Sequence, residues 1–523
     1  MNSYTSKKLR FNNAEQFKES FSELENPTVG YVFIGKNVPY ANDAAPDIII
    51  DTVSTEKEIW DNMFAAKKIT GNDVQLVIPR VNWTANTKYK QYDDIITLDN
   101  ILTANTTSNV FPMYVMNSEG NVYKCLSNNS SGFSTVEPLG QNFGNKGNII
   151  TADQYLWKYL FNVINTNKFL ANNWIPTPIS TSQLEFSSNS IISVEGEINS
   201  IVVVNTGSNY TESNNILASS FSQACTVLTI DASVDIANTI ALNMGVTGNG
   251  IVGDTFITAI DSFNRKINLS IATASTGGGS GNLLSILTRV EIVGDGTGAV
   301  ASASISNSSI QKIIMSSYGS DYNYANVIIY GTATGSNVAN VRAILPPKYG
   351  HGYNAAKELG AHNVMIVSKI GEIDSTEGGI ISANTSIRQY GLLRNPHKYN
   401  QDEPISYANA NSVISQTTEL TLIAGNEYNE SELVYQGSLS NPSFSGFVND
   451  QTPNEIYLTG VRGTVSLGTV LKGTSTNPTG RTVLNIQNPE FEPATGDVLY
   501  GENIIPIDRE IGQSENIRFV VKF

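Results

Sequence analysis

INSIVVVNTGSNY, Ile198 to Tyr210, lines up without a gap on IQKIIMSSYGSDY, Ile310 to Tyr322. Each copy is a β-branched and aliphatic run that closes on Gly-Ser-x-Tyr, and such runs, broken by Gly, Asn and Ser, predict strands. GTGAVA (Gly296 to Ala301) has a looser echo in ATGSNVA (Ala333 to Ala339). The repeat therefore predicts two related β units. Between the GSNY and GDGTG of the first unit sits Ala218 to Val290, which contains the flexible GGGSG of Gly277 to Gly281 and reads as an inserted β subdomain.

Outward from this centre, hardly a helical period occurs between about Ser187 and residue 345, whereas the first 180 residues mix both periods. NNAEQFKESFSEL (Asn12 to Leu24) predicts a helix behind an Asn cap with Phe17, Phe21 and Leu24 on one face, and VGYVFIG (Val29 to Gly35) predicts a strand. STEKEIWDNMFAAKKITG predicts a second helix, with Thr55 and Glu58 as capping box, Ile59, Trp60, Met63 and Phe64 as buried stripe, and Gly71 as stop. MYVMNSEGNVYKCL (Met113 to Leu126) predicts a hairpin, and TADQYLWKYLFNV (Thr151 to Val163) a capped, aromatic-rich helix. After Gln401 the strand runs ELTLIAG (Glu419 to Gly425), EIYLTGV (Glu455 to Val461) and NIRFVVKF (Asn516 to Phe523) return, the last expected to pin the C-terminus into a sheet.

The expected fold class is mainly β and multi-domain. Its parts are an α+β domain over 1–186, an inserted β region with duplicated units over 187–345 (218–290 a further insertion), a return segment packing on the N-terminal domain over 346–400, and a β domain over 401–523.

The chain has 523 residues, enough to bury cores without staples. Its two cysteines, Cys125 and Cys225, have no metal-ligand spacing, which points to a reducing compartment. MNSYTSKKLRFNNAEQF lacks the apolar core of a signal peptide and no window approaches the ~18 apolar residues of a span, so no export by that route and no membrane partner are expected. Lys plus Arg total 32 against 47 Asp plus Glu, and the resulting charge of −15 argues against nucleic acid as a partner. Charged residues make up 15% of the chain, against ~25% in ordinary domains. Such a charge-poor surface suits one that other subunits cover, and solvent-exposed β-rich proteins of extracellular type share it.

The candidate sites each carry a plainer reading. GDGTGA (Gly294 to Ala299) lacks the Lys-Ser/Thr and the helix of a phosphate loop and reads as a β-turn or bulge. Asp295 alone is too few carboxylates for calcium. No G-x-S-x-G elbow is present, and no particular pair of acids is marked for glycoside cleavage. The sequons at Asn82 and Asn128 mean little without a secretion signal. PPKYGHGYNAAKELGAHNVMIV (Pro346 to Val367) holds His351 and His362, two of the three histidines. Metal binding there lacks further ligands at a recognisable offset. The expected role is backbone geometry: Gly350 and Gly352 in conformations closed to other residues, His351 donating a hydrogen bond that holds the crossing, and a short helix NAAKELGA stopped by Gly360. No catalytic, cofactor-binding or metal residue is expected, and no cofactor.

A series of stretches, in chain order, resembles one family. They are YVFIGKNVPY (Tyr31 to Tyr40), DVQLVIPRVNW (Asp73 to Trp83), KQYDD (Lys90 to Asp94), NVYKCLSNN (Asn121 to Asn129), STVEPLG (Ser134 to Gly140), YLWKYLFNV with KFL and IP (Tyr155 to Pro176), YGHGYNAAKELGA (Tyr349 to Ala361), IRQYGLLRNP (Ile387 to Pro396), VYQG (Val434 to Gly437) and GDVLYGENIIPIDR with QSENIRFVVKF (Gly496 to Phe523). The family is the baseplate wedge subunit of T-even-type contractile-tailed phages, known as the eighth gene product. The resemblance implies a structural, non-enzymatic virion protein of the tail baseplate, assembled in the host cytoplasm as a homodimer that bridges other wedge proteins, with no small-molecule substrate. It also implies that Gly-His-Gly is a family-wide return of the chain. Residues 187–343 look elaborated relative to the family, and the loops Asn100 to Asn109 and Asn441 to Asn454 are expected to order only when neighbours arrive.

Two alternatives stand beside it. A receptor-binding tail protein would be a trimer without the helical N-terminal domain and its Trp60 and Trp157 stripes. A carbohydrate-active enzyme would need a cleft with paired carboxylates.

Overall fold

The structure, a computed structural model, describes residues 6–23, 28–178, 192–211, 213–279, 283–371, 385–402, 413–509 and 513–523. Strand accounts for 44% of the chain and helix for 11%, so the fold is mainly β and multi-domain. Two compact units form, residues 1–77 with 361–523 and residues 78–360. This division is coarser than the four serial segments expected and has other boundaries. Among the described residues no helix is long and apolar enough to cross a membrane.

In the first unit VGYVFIG is buried on both faces because alternate side chains enter two different cores. The Gly30–Gly35 strand lies inside a five-stranded antiparallel sheet in the order Val413–Ser415, Met63–Lys68, Gly30–Gly35, Ile387–Arg394, Asp497–Ile507. Tyr31 and Phe33 pack with Ile59, Trp60 and Phe491, whereas Ile34 packs with Phe64, Ile370 and Ile387. The latter core lies against a second sheet, in which Asn363–Gly371 pairs with Val74–Val77 and with the C-terminal Ser514–Lys522 strand. Residues Thr418–Leu422, Glu455–Gly463, Asn441–Gln451, Leu433–Ser438, Val470–Gly473 and Arg481–Gln487 close a six-stranded barrel around Leu420, Val434, Phe444, Val448 and Leu458.

Several expectations need correction. The first helix is Lys7–Ser20, capped by Ser6 and not by an Asn further on, with Phe11 and Ala14 as its buried residues; Leu24 lies outside the described residues. The second helix is only Val53–Asn62, its cap is Thr52, and Met63–Lys68 continues as a strand. Met63 and Phe64 are buried, but from that strand, and Gly71 opens a 3-10 turn boxed by Thr70 and Asp73. Asn441–Gln451 is a barrel strand, and Asn100 to Asn109 holds the end of the Leu98–Leu102 helix followed by a turn closed by Asn105 and Val110.

In the second unit the expected hairpin forms between Tyr114–Met116 and Asn121–Ser127. The expected helix over Thr151 to Val163 does not. Leu156–Asn162 is a strand between Asn121–Ser127 and Asn148–Ile150, and its aromatic residues read as helical only because both of its faces are buried. Thr151 donates to Asp153, which also accepts the Thr135 and Val136 amides at 2.6 and 3.0 Å; these residues make a turn and not a cap.

The repeat seen in the sequence is a strand-exchanged pair. Its first unit contributes Ser200–Asn205, Arg289–Gly294 and Thr297–Ser306, and its second Ser309–Ser320, Ala325–Tyr330 and Asn340–Ile344. The first strand of each pairs with the last of the other, and the middle strands pair together. Ile198 N donates to Tyr318 O and Ile310 N to Thr206 O, both at 2.9 Å; each bond becomes the other when 198 is read as 310 and 206 as 318. Ile198, Ile201 and Tyr210 meet their counterparts Ile310, Ile313 and Tyr322 in one core. The inserted piece, from Ser213–Leu217 to Leu283–Leu287, has its own core around Leu228, Met244, Ile267 and Leu284. Its two ends meet where Thr288 Oγ1 donates to Thr211 O at 2.8 Å. Gly277 accepts from the Phe221 amide, and the rest of GGGSG from position 280 lies outside the described residues.

Candidate functional site

The His351 stretch is shaped by its glycines. Gly350 has φ +89, and a Cβ there would sit 2.3 Å from Val194 O; Gly352 has φ +86, with Ile192 Cδ1 at 3.0 Å. No L side chain fits the first, and both take the left-handed region that glycine alone enters without strain. This geometry turns the His351 ring inward, where it is 2% exposed. The following turn, Ala355–Glu358, is capped by Asn354 and leaves through Leu359 to Gly360 at φ +67, as the sequence predicts.

The ring meets a charge cluster. His351 Nδ1 lies 2.5 Å from Glu358 Oε1 and 3.0 Å from Lys124 Nζ, and Lys124 also binds Glu358 directly. Gly352 N donates to the other carboxylate oxygen at 2.8 Å. Tyr92 lies edge-on to the imidazole at 4.7 Å and presents its ring face to the ammonium at 3.5 Å. The arrangement assigns the neutral Nδ1–H tautomer to His351, donating to Glu358, the role expected of it in holding the crossing.

Burial lowers the His351 pKa to about 4, helped by the Lys124 charge and opposed by Glu358. Burial also lowers Lys124 to about 8 against the pull of Glu358. The Glu358 carboxyl is pushed up by burial, but Lys124 and His351 outweigh this and hold it well below its usual range. Glu358 is thus a carboxylate, Lys124 an ammonium and His351 neutral at pH 7. Lys158 stands directly across the ladder from Lys124, a like-charge pair that would repel. The strands resolve this by giving each lysine its own acid: Lys158 pairs with Glu197 at 3.3 Å, and Asn148 donates to the second Glu197 oxygen at 2.8 Å.

Sequence reasoning found His351 and its glycines but missed Lys124, Lys158, Glu197 and Glu358. The available signal was a lysine amid apolar neighbours in both NVYKCL and YLWKYL, since an unpaired lysine is almost never fully buried. The cluster is closed to solvent, with Lys124 and Glu358 side chains 0% and 4% exposed. Its chemistry is that of a brace, because every charge is already matched and no reacting atom has a surface to approach from.

The other candidates separate. Asp295 accepts the Asn323 and Tyr324 amides at 2.9 and 3.1 Å, fixing the turn between two strands. Asn128 donates to Tyr89 O and accepts from Ser131 N, and Asn82 accepts from Arg80. Cys125 is buried, with its thiol pushed well up by desolvation; Cys225 donates to Val227 O at 3.0 Å. His362 accepts the C-terminal Phe523 amide through its carbonyl. Among the described residues no group of three or more His, Cys, Asp or Glu side chains is placed to hold a metal ion.

An open cleft of about 910 Å³ in the second unit is walled by Ile201, Val203, Ile313 and Met315 and rimmed by Lys88, Lys90 and Lys312. Among the described residues of its lining the one carboxylate is Asp93, gripped through both oxygens by Arg342 at 2.7 and 2.8 Å. No protein-family model matches the chain, and no curated protein matches it.

Proposed function

We propose that the chain is a structural subunit of the baseplate wedge in a contractile phage tail. It works as a homodimer that bridges other wedge proteins during baseplate assembly and during host attachment and contraction. The observation that carries the reading is the ordered series of family-like stretches from Tyr31 to Phe523. Supporting it, the most chemistry-like residues in the chain, His351 and its neighbours, are spent on holding the backbone, and the surface is charge-poor. Large apolar side chains such as Phe263, 95% exposed on a hairpin tip, suit a protein whose work is contact.

Light scattering behind a sizing column across a tenfold micromolar range tests the oligomeric part: a mass near twice 56.5 kDa is expected, and a stable trimer overturns it. Pull-down from phage-infected cells tests the partners, with other wedge proteins as the expected catch. Recovery of host-surface glycans alone would refute the wedge assignment.

A further inference from the structure

The open cleft of about 910 Å³ lies where the two halves of the repeat part. Ile198 N to Tyr318 O and Ile310 N to Thr206 O tie Ser200–Asn205 and Ser309–Ser320 antiparallel at both ends. The two strands nevertheless belong to separate sheets, and both line the cleft between the ties. Single bulged residues account for the parting: Val204 has no partner in its ladder, nor have Gln311 and Ser316 in theirs, and a bulge bends its strand. The runs Ser200–Val203 and Lys312–Met315 keep a regular register with their outer neighbours and contain no proline. Among the described residues no strand pairs with their cleft-side edges.

One polar group in this cleft is unanswered. Asn199 lines it and is 5% exposed, and neither its Oδ1 nor its Nδ2 has a hydrogen-bond partner. A buried amide left so costs stability, and in a cleft wall it marks where a ligand's donor and acceptor would sit. Its counterpart in the second half, Gln311, spends its amide on Ser306 O and Ser309 O at 3.2 and 3.4 Å, so the repeat does not by itself call for a free amide. The charges around the cleft are of one sign. Lys90 is held by the Asn100 and Thr103 carbonyls, Lys88 lies 4.7 Å over the Phe133 ring, and Lys312 has no acid partner among the described residues. Asp93 is already neutralised by Arg342.

We propose that the cleft binds an extended, acidic segment of a partner protein. An amide that needs a donor and an acceptor side by side is matched by a peptide unit. Unpaired strand edges take a further strand through its backbone, and Ile201, Val203, Ile313 and Met315 take its alternate apolar side chains. Three lysines whose charge no acid cancels, in a chain of −15, select Asp and Glu. A nucleotide would answer the lysines and Asn199 but would leave both edges and the apolar wall unused. The site uses only residues of the second unit and stands whether or not the chain is a wedge subunit.

Selection from a library of capped, randomised nonapeptides on the immobilised full chain tests this, followed by fluorescence anisotropy of an enriched peptide. Enriched sequences are expected to carry Asp or Glu beside apolar residues at alternate positions. Lys312→Glu and Asn199→Leu are each expected to weaken the peptide at least ~tenfold, and Asn199→Leu, which breaks no hydrogen bond, to melt no lower than the wild type. If Asn199→Leu does not fold, Lys312→Glu carries the comparison alone. Methylating alternate backbone nitrogens of the peptide is expected to weaken it at least ~tenfold as well, whereas Phe263→Lys, in the inserted piece, binds as the wild type does. The absence of any enriched sequence overturns the proposal, as do enriched peptides that bind Lys312→Glu equally well or tolerate the methylation. Displacement of the peptide by ATP overturns a peptide as the occupant.

Discussion

Replacing Lys124 by Met exposes what the buried cluster does. The wild-type pair is closed to solvent, with the two side chains 0% and 4% exposed, and removing one partner of such a pair leaves an uncompensated charge at a cost of ~3–5 kcal/mol. The cost depends on pH in a direction the neighbours dictate. In the wild type the folded His351 pKa is depressed to about 4 from 6.5, so the unfolded chain takes up the proton first and stability falls as the pH drops through that window. Between pH 7.5 and 5 this loss is ~2 kcal/mol. In Lys124→Met the ammonium that repels the proton is gone while Glu358 still attracts it, so His351 becomes an imidazolium more readily and takes the lysine's place. The variant is therefore expected to be destabilised by ~3–5 kcal/mol at pH 7.5 and by ~1–2 kcal/mol less at pH 5. Hydrogen exchange of the Asn121–Ser127 and Leu156–Asn162 amides at the two pH values measures this locally. A penalty below about 1 kcal/mol, or one that does not shrink on acidification, refutes the account of the cluster as a matched, desolvated brace.

Other expectations follow from single contacts. Gly350→Ala places a Cβ against Val194 O at a positive φ and is expected to destabilise the second unit by ~2 kcal/mol or more in urea unfolding. Thr52→Ala removes the acceptor of the Thr55 amide and is expected to cost ~1 kcal/mol by the same assay. Asp61→Asn breaks the exposed bridge to Arg462 and is expected to change stability by less than ~1 kcal/mol. Replacing residues 213–287 by a short Gly-Ser turn, which the Thr288 to Thr211 hydrogen bond shows to be spannable, should leave the melting of the remaining chain within a few degrees and remove one calorimetric transition; loss of the fold would show that the insert is not an independent core.

What the sequence disclosed depended on whether a signal was local. The hairpin around Asn-Ser-Glu-Gly, the Gly30–Gly35 strand and the repeat ending in Tyr210 and Tyr322 all carry their pattern within a dozen residues, and the structure contains them. YLWKYLFNV misled because a strand buried on both faces loses the alternation that marks strands. MFAAKK misled in another way, since alanine and lysine favour helix while the flanking sheet recruits them as a strand. The brace was half legible: two glycines announced the backbone geometry of His351, but Lys124 stands 227 positions away from it, and no local pattern reports a partner at that distance. That Asp497–Ile507 comes last in its sheet was hidden for the same reason, because it is a property of the whole order of strands.

The exchanged pairing of the duplicated unit changes how that part of the chain must form. If each half existed alone, its outer strands would find partners only on a second molecule, and the fraction folded would follow protein concentration. Joining the halves in one chain turns that encounter into an intramolecular closure, at an effective concentration set by the connection and not by the cell. The turn between Thr297–Ser306 and Ser309–Ser320 is the shortest such tether the two strands allow. With closure assured there, the other connection, from Tyr210 toward Arg289, is free to lengthen, because loop entropy grows only slowly with length. An entire subdomain has room to grow in that connection while the pair around it stays closed.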